Sequence, residues 1–224
     1  MKRKIQLILL CCFLFSGIAC PQQEDFRTLF SVELEGELFD YIDYSLTPEV
    51  RLMDYSSKME SLLGELDVSA PLTKFFRLGI EYRYELDYNE DKSADRINRY
   101  GVYAELDEKI EYLRMEYRAL YLQEYRDFNT SELGRIPEAV HRHRIRLRYR
   151  RKGWDVAPFL ALEAFFTLQP AWQRNRQKYR LSSGVRIRLT KDINLGIQYK
   201  YQKEFNQNNP LTAHIISTGI EFEL

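Results

Sequence analysis

From residue 25 to the C-terminus, apolar and polar side chains alternate, and no segment holds a helical period. In residues 179–190 one face carries Tyr179, Leu181, Ser183, Val185, Ile187 and Leu189; the other carries Arg180, Ser182, Gly184, Arg186, Arg188 and Thr190. Residues 193–204 divide likewise, with Ile193, Leu195, Ile197, Tyr199 and Tyr201 opposed to Asn194, Gly196, Gln198, Lys200, Gln202 and Glu204. Around residue 80, Phe76, Leu78, Ile80, Tyr82, Tyr84 and Leu86 share a face against Arg77, Gly79, Glu81, Arg83, Glu85 and Asp87. Period two is the mark of a pleated strand, because successive Cβ atoms point to opposite sides.

The alternation predicts strands at 29–38, 42–52, 58–70, 75–87, 98–107, 110–125, 140–151, 154–168, 178–190, 193–204 and 213–224. Short connections at 39–41, 71–74, 108–109, 152–153 and 191–192 take turns with longer polar links at 53–57, 88–97, 126–139, 169–177 and 205–212. Short turns at one end and long loops at the other characterise a membrane barrel. The expected fold is all-β, an antiparallel up-and-down transmembrane β-barrel of about ten to twelve strands. An odd count conflicts with both termini lying in the periplasm, so either residues 29–52 are misdivided or an edge segment is missed.

Composition fits this class. The 16 Tyr and 13 Phe are more than a soluble chain of this length needs, whereas a barrel uses such rings as belts at the headgroups. Lys2, Arg3 and Lys4, the apolar run 5–15 and the small residues Gly17 and Ala19 read as a secretory signal, with residues 1–19 removed near Ala19/Cys20. Residues 20–28 are a lead-in and 29–224 the barrel. All three cysteines, Cys11, Cys12 and Cys20, lie at this end, so the mature domain has no disulfide framework and no thiol metal site. Cys20 is alternatively an acylated cysteine, although Gly17 stands where a lipobox wants an aliphatic residue. Without residues 1–19 the chain carries 30 basic against 33 acidic groups, a balance that argues against nucleic acid as a partner.

Alternation alone does not say which face is outside. Arg142, Arg144, Arg146, Arg148 and Arg150 share one face of a single strand, with Ile145, Leu147 and Tyr149 behind them. Facing lipid, each arginine near the midplane would cost about 2–4 kcal/mol, so in a membrane they must line the lumen. The C-terminus supports that setting: Gly219 followed by Phe222 and Leu224 resembles the signal by which insertion machinery recognises outer-membrane barrels. The expected location is the outer membrane of a Gram-negative bacterium, with its lipid and the insertion machinery as partners.

The segments Arg77-Leu78-Gly79-Ile80-Glu81-Tyr82-Arg83-Tyr84, His143-Arg144-Ile145-Arg146-Leu147 with Trp154 beyond its turn, and Lys178-Tyr179-Arg180-Leu181 together resemble the DUF2490 family. That resemblance spans nearly the whole mature chain and implies an exported, predicted outer-membrane barrel of the Bacteroidota type. It implies no activity, cofactor or site residue.

No phosphate loop, Cys/His metal spacing or nucleophile elbow is present, and no cofactor is expected. The histidines are His141, His143 and His214, expected near the outer rim on the lipid face, with Thr130 and Ser131 nearby only in a loop. A lipid-modifying rim enzyme is therefore one reading, without an assignable catalytic residue. The lumen is the richer feature. Arg142, Arg144, Arg146, Arg148 and Arg150 with Arg180, Arg186 and Arg188 form a predicted basic wall. Glu33, Glu35, Glu37, Glu49, Glu65, Glu81, Glu85, Glu221 and Glu223 form an acidic wall facing it, if the last strand closes on the first. Opposed walls favour a small channel or transport-linked barrel. The alternative is a plugged structural or partner-binding barrel, its side chains salt-bridged across the interior and residues 126–139 the contact loop.

Overall fold

A computed structural model describes residues 23–39, 41–89, 93–126, 138–168, 177–206 and 210–224. The expected signal peptide, the three cysteines, Thr130, Ser131 and most of the 126–139 loop lie outside the described residues. Eleven strands follow in order: β1 Gln23–Leu38, β2 Ile42–Met53, β3 Lys58–Pro71, β4 Phe76–Tyr88, β5 Ala94–Ile110, β6 Leu113–Arg126, β7 Glu138–Tyr149, β8 Val156–Leu168, β9 Gln177–Arg188, β10 Ile193–Phe205 and β11 Leu211–Glu223. Each pairs antiparallel with its sequence neighbours, and the ring closes where β1 meets β11.

That closure is parallel, with a register running from Gln23↔Leu211 to Glu35↔Glu223. An up-and-down chain of odd strand number returns its last strand in the direction of its first, so only a parallel seam leaves no edge unpaired. The eleven strands read from the alternation are therefore the true count. The expectation of an even number is corrected: Gln23 and Leu224 lie at opposite ends of the barrel. β1 also begins at Gln23, taking in most of the expected lead-in.

One rim, the turn rim, carries the connections 39–41, 72–75, 111–112, 150–155 and 189–192, and Leu224, whose amide N–H donates to Glu35 O at 2.9 Å. The opposite rim, the loop rim, carries the remaining connections. One of these, expected to be long, is tight: Asp54, Tyr55 and Ser56 all take φ of 53–63°, Ser57 N–H donates to Asp54 O, and β3 resumes at Lys58.

The strand pattern sorts inside from outside. Ile80, Val102, Leu160 and Leu162 are 50–57% exposed on the outer surface, while their sequence neighbours Glu81, Tyr103, Ala161 and Glu163 are buried inside. Rings gather toward each rim of the outer surface. Tyr112, Tyr149 and Trp154 stack near the turn rim, where Lys74 lies over Phe75 and Arg151 over Trp154. Tyr82, Tyr100 and Tyr125, together with Tyr179, Tyr201 and Phe205, form clusters nearer the loop rim. An oily band between two aromatic girdles has the build of a bilayer-facing wall.

Candidate functional site

The interior holds two chambers. One, about 540 Å³, opens toward the loop rim; the other, about 730 Å³, lies toward the turn rim. Glu49, Glu65, Arg118 and Arg144 line both, and so mark the level where they meet. At that level a knot of polar groups projects from the wall. Tyr103 O–H donates to Asp67 at 2.6 Å, and Arg118 lies 4.0 Å over the Tyr103 ring. Arg118 also holds Glu105 at 2.7 Å and Asp67 at 3.5 Å. Gly79 makes room for the phenol: a Cβ there would collide with the Tyr103 ring.

β7 and β9 carry the cations of the predicted basic wall. Arg142, Arg144, Arg146 and Arg148 all line the chambers, as do Arg180 and Arg186. Arg150 lies beyond the end of β7, exposed in the turn, and Arg188 is exposed at the end of β9; neither lines a chamber. A wall of like charges is tolerated because β8, between the two basic strands, turns Phe159, Glu163 and Phe165 inward. Glu163 accepts from Arg142 and from Arg180, each at 3.2 Å. The Phe165 ring is bordered by Lys178 at 4.8 Å, Arg180 at 5.2 Å and Arg142 at 5.4 Å, and Phe159 lies 5.4 Å from Arg146. Each such contact offsets part of the repulsion between neighbouring guanidiniums.

On the other side, Glu33, Glu35, Glu37, Glu221 and Glu223 line the turn-rim chamber, Glu81 and Glu85 the loop-rim chamber, and Glu49 and Glu65 both. Among the described residues, six of these nine acids sit in ion pairs. Arg51 binds Glu49 at 2.5 Å and Glu85 at 3.4 Å, Arg83 pairs with Glu65, and Arg99 bridges Glu85 and Glu124. Arg186 pairs with Glu221 and reaches Glu35 at 3.8 Å and Glu223 at 3.7 Å, joining the basic side to the acidic one. Arg27 binds Glu60, which the register shift between Arg51 and Leu52 sets in the β2–β3 ladder without a partner. Most pairs run around the wall between nearby strands; fewer cross the lumen.

The match to a family model described as "Protein of unknown function (DUF2490)" covers residues 26–212, from the fourth residue of β1 to the opening of β11. The chain belongs to the DUF2490 family. No curated protein matches it. In this DUF2490 barrel the segment carrying Gly219, Phe222 and Leu224 follows the matched span. Gly219 sits on the inner face against Ser31, Phe222 pairs with Ile193, and Leu224 is exposed at the turn rim.

The histidines of the DUF2490 barrel lie on its outer surface among rings. Tyr117 O–H and His143 Nδ1 are 3.0 Å apart, and Tyr199 O–H and His214 Nδ1 2.6 Å. His141 packs on Tyr121 and His143 on Phe166. No serine stands among these contacts. Among the described residues no group of acids, histidines or cysteines is arranged to hold a metal.

Reading the faces alone left out several groups that shape the lumen. Lys178 and Lys200 project into the loop-rim chamber, and Tyr103, Asp67, Phe159 and Phe165 complete the knot and the spacer strand. Lys200 was visible as a charge on a polar face. The inward role of Phe159 and Phe165 was not, because β8 is apolar on both faces apart from Glu163 and Thr167.

Proposed function

We propose that this DUF2490 protein is an outer-membrane barrel whose charged lumen is a narrow conduit for small polar solutes. The observation that carries the reading is the inside-out arrangement: an apolar outer band between two aromatic girdles, enclosing two polar chambers that share Glu49, Glu65, Arg118 and Arg144. Strands of 12 to 17 residues are long enough to span a hydrocarbon core when tilted. Opposed charges in so narrow a bore raise the local concentration of ions and orient dipoles. The turn rim faces the periplasm in this reading, since short turns lie on that side of such barrels. The proposal includes no enzymatic step; the rim histidines act as contacts for headgroups.

A second reading is favoured by the Arg118 knot, whose groups narrow the junction between the chambers. In it the barrel is a plugged structural element. Two measurements decide. Membrane-extracted protein should migrate faster on a gel unboiled than boiled, as a closed barrel resists detergent until heated. Purified protein in planar bilayers should give small, ohmic conductance. Heat-modifiable migration without any conductance selects the plugged barrel; a mature chain soluble without detergent removes both readings.

A further inference from the structure

Among the described residues, each arginine that lines either chamber makes an ion pair with a carboxylate, but Lys178 and Lys200 do not. Both lysines lie in the loop-rim chamber, on β9 and β10, beside Arg180. The register sets Lys178 opposite Phe165 and Glu204, and Lys200 opposite Ser182 and Ile215. Lys178 rests against the Phe165 ring at 4.8 Å, and Lys200 faces Glu49 of β2, an acid that Arg51 already holds at 2.5 Å. The nearest acid of the basic arc, Glu163, is engaged through one oxygen by Arg142 and through the other by Arg180. Arg144 adds to the excess: it reaches Glu105 only at 3.7 Å, and its Nε is buried with no hydrogen-bond partner.

We infer that the loop-rim chamber is a binding site for a small oxyanion of phosphate type, held between Lys178, Lys200 and Arg180 with Arg142 and Arg144 behind. The chemistry matches on three counts. Ammonium groups bind such anions as point charges, and guanidiniums offer paired N–H donors to two oxygens at once. The chamber is polar and open toward the loop rim, and its 540 Å³ greatly exceeds what one such ion occupies. A multiply charged anion also relieves the repulsion left where Glu163 is shared by two arginines. The turn-rim chamber differs: among the described residues no lysine lines it, and its Arg186 lies among three carboxylates, Glu35, Glu221 and Glu223.

Such an anion belongs to a free solute or to a lipid headgroup; the site's place inside the wall favours the free solute. The inference rests on the inward orientation of these faces and not on conduction. Calorimetric titration of inorganic phosphate into the detergent-purified protein tests it. Saturable uptake near one ion per barrel is expected, with sulfate competing and chloride not. Lys200→Gln and Lys178→Gln should each weaken it about tenfold or more, the loss of one charge-assisted bond. Both variants remove a cation that has no ion pair, so unboiled gel migration should match wild type; if one fails this check, the other decides. Phosphatidylglycerol nanodiscs in place of detergent form the lipid arm: phosphate competing with headgroup would transfer the site to lipid. Absence of saturable phosphate binding, or both variants binding as wild type, overturns the site. Heat-modifiable migration retained in that event leaves the membrane barrel standing.

Discussion

Replacing Arg118 by alanine probes the junction between the chambers on two counts, stability and opening. The guanidinium holds Glu105 at 2.7 Å and Asp67 at 3.5 Å and covers the Tyr103 ring at 4.0 Å. Side-chain exposures of 22% for Arg118, 10% for Glu105 and 17% for Asp67 place the group between a surface pair and a dry one. Breaking a fully buried pair costs about 3–5 kcal/mol, mostly from the charge left behind. A surface pair is worth about 0–1 kcal/mol. Lumen-facing groups at this depth keep part of their solvation, so a loss of about 2–3 kcal/mol is expected for Arg118→Ala. With a urea slope of about 2 kcal/mol per molar, the unfolding midpoint should fall by about 1 M. A double-mutant cycle locates the loss. Arg118 and Glu105 should couple by about 1.5–3 kcal/mol, whereas the longer contact to Asp67 should couple by less than about 1 kcal/mol. In planar bilayers the same variant should conduct more than wild type, because the side chain that narrows the shared level is gone. A midpoint within about 0.25 M of wild type, with conductance unchanged, would show that Arg118 neither fastens the wall nor narrows the lumen.

Leu162, half exposed at the centre of β8 and flanked by Ile145 and Leu181, separates a lipid-facing surface from a wet one. Leu162→Arg should cost about 2–4 kcal/mol of folding free energy in vesicles, whereas a water-facing site would change by no more than about 0.5 kcal/mol. Gly79→Val should displace the Tyr103 ring and cost about 1–3 kcal/mol in urea unfolding. Tyr103→Ala in the same chain should recover much of that loss, and a pair of losses that simply add would sink the account. The parallel closure predicts opposite labelling of the two ends. In a Cys20→Ser background, which leaves no cysteine from residue 20 onward, an impermeant maleimide added to intact cells should modify Glu24→Cys at the loop rim and spare Glu223→Cys at the turn rim. Both sites modified from the same side would rule out the eleven-strand seam.

Alternation was enough to give the strands, because a closed wall with apolar side chains on one side and charge on the other must obey period two at nearly every residue. Ends were less legible. β1 continues back to Gln23 because its partner β11 begins at Leu211, a cross-chain constraint that no local pattern states. Strand parity failed for a different reason: the even-number expectation came from where the termini were assumed to lie, and pairing itself admits a parallel seam. The identity of the cations was plain on β7, where arginine recurs at every second position. Their partners were not, because an ion pair such as Arg118 to Asp67 spans from β6 to β3, and the reach of a long side chain over a glycine is a matter of space.

Charge sorting in this lumen follows from what stands between the charged strands. β7 and β9 would set Arg142, Arg144 and Arg146 against Arg180 and Arg186 with no neutralising row if β8 were an ordinary polar strand of the wall. Instead β8 gives two phenyl faces and one carboxylate, and the single acid is consumed by two arginines. β10 has no such spacer toward β9: Lys200 and Arg180 point into the same chamber with Gln202, which already accepts from Arg180 at 2.8 Å. The surplus of positive charge therefore collects on one side of one chamber and not evenly along the bore. On the conduit reading, a solute entering from the loop rim would meet that surplus before the Arg118 knot, so binding and passage would be separate steps governed by different side chains. Variants of the lysines should change occupancy and leave the junction as it is, and variants of Arg118 should do the reverse.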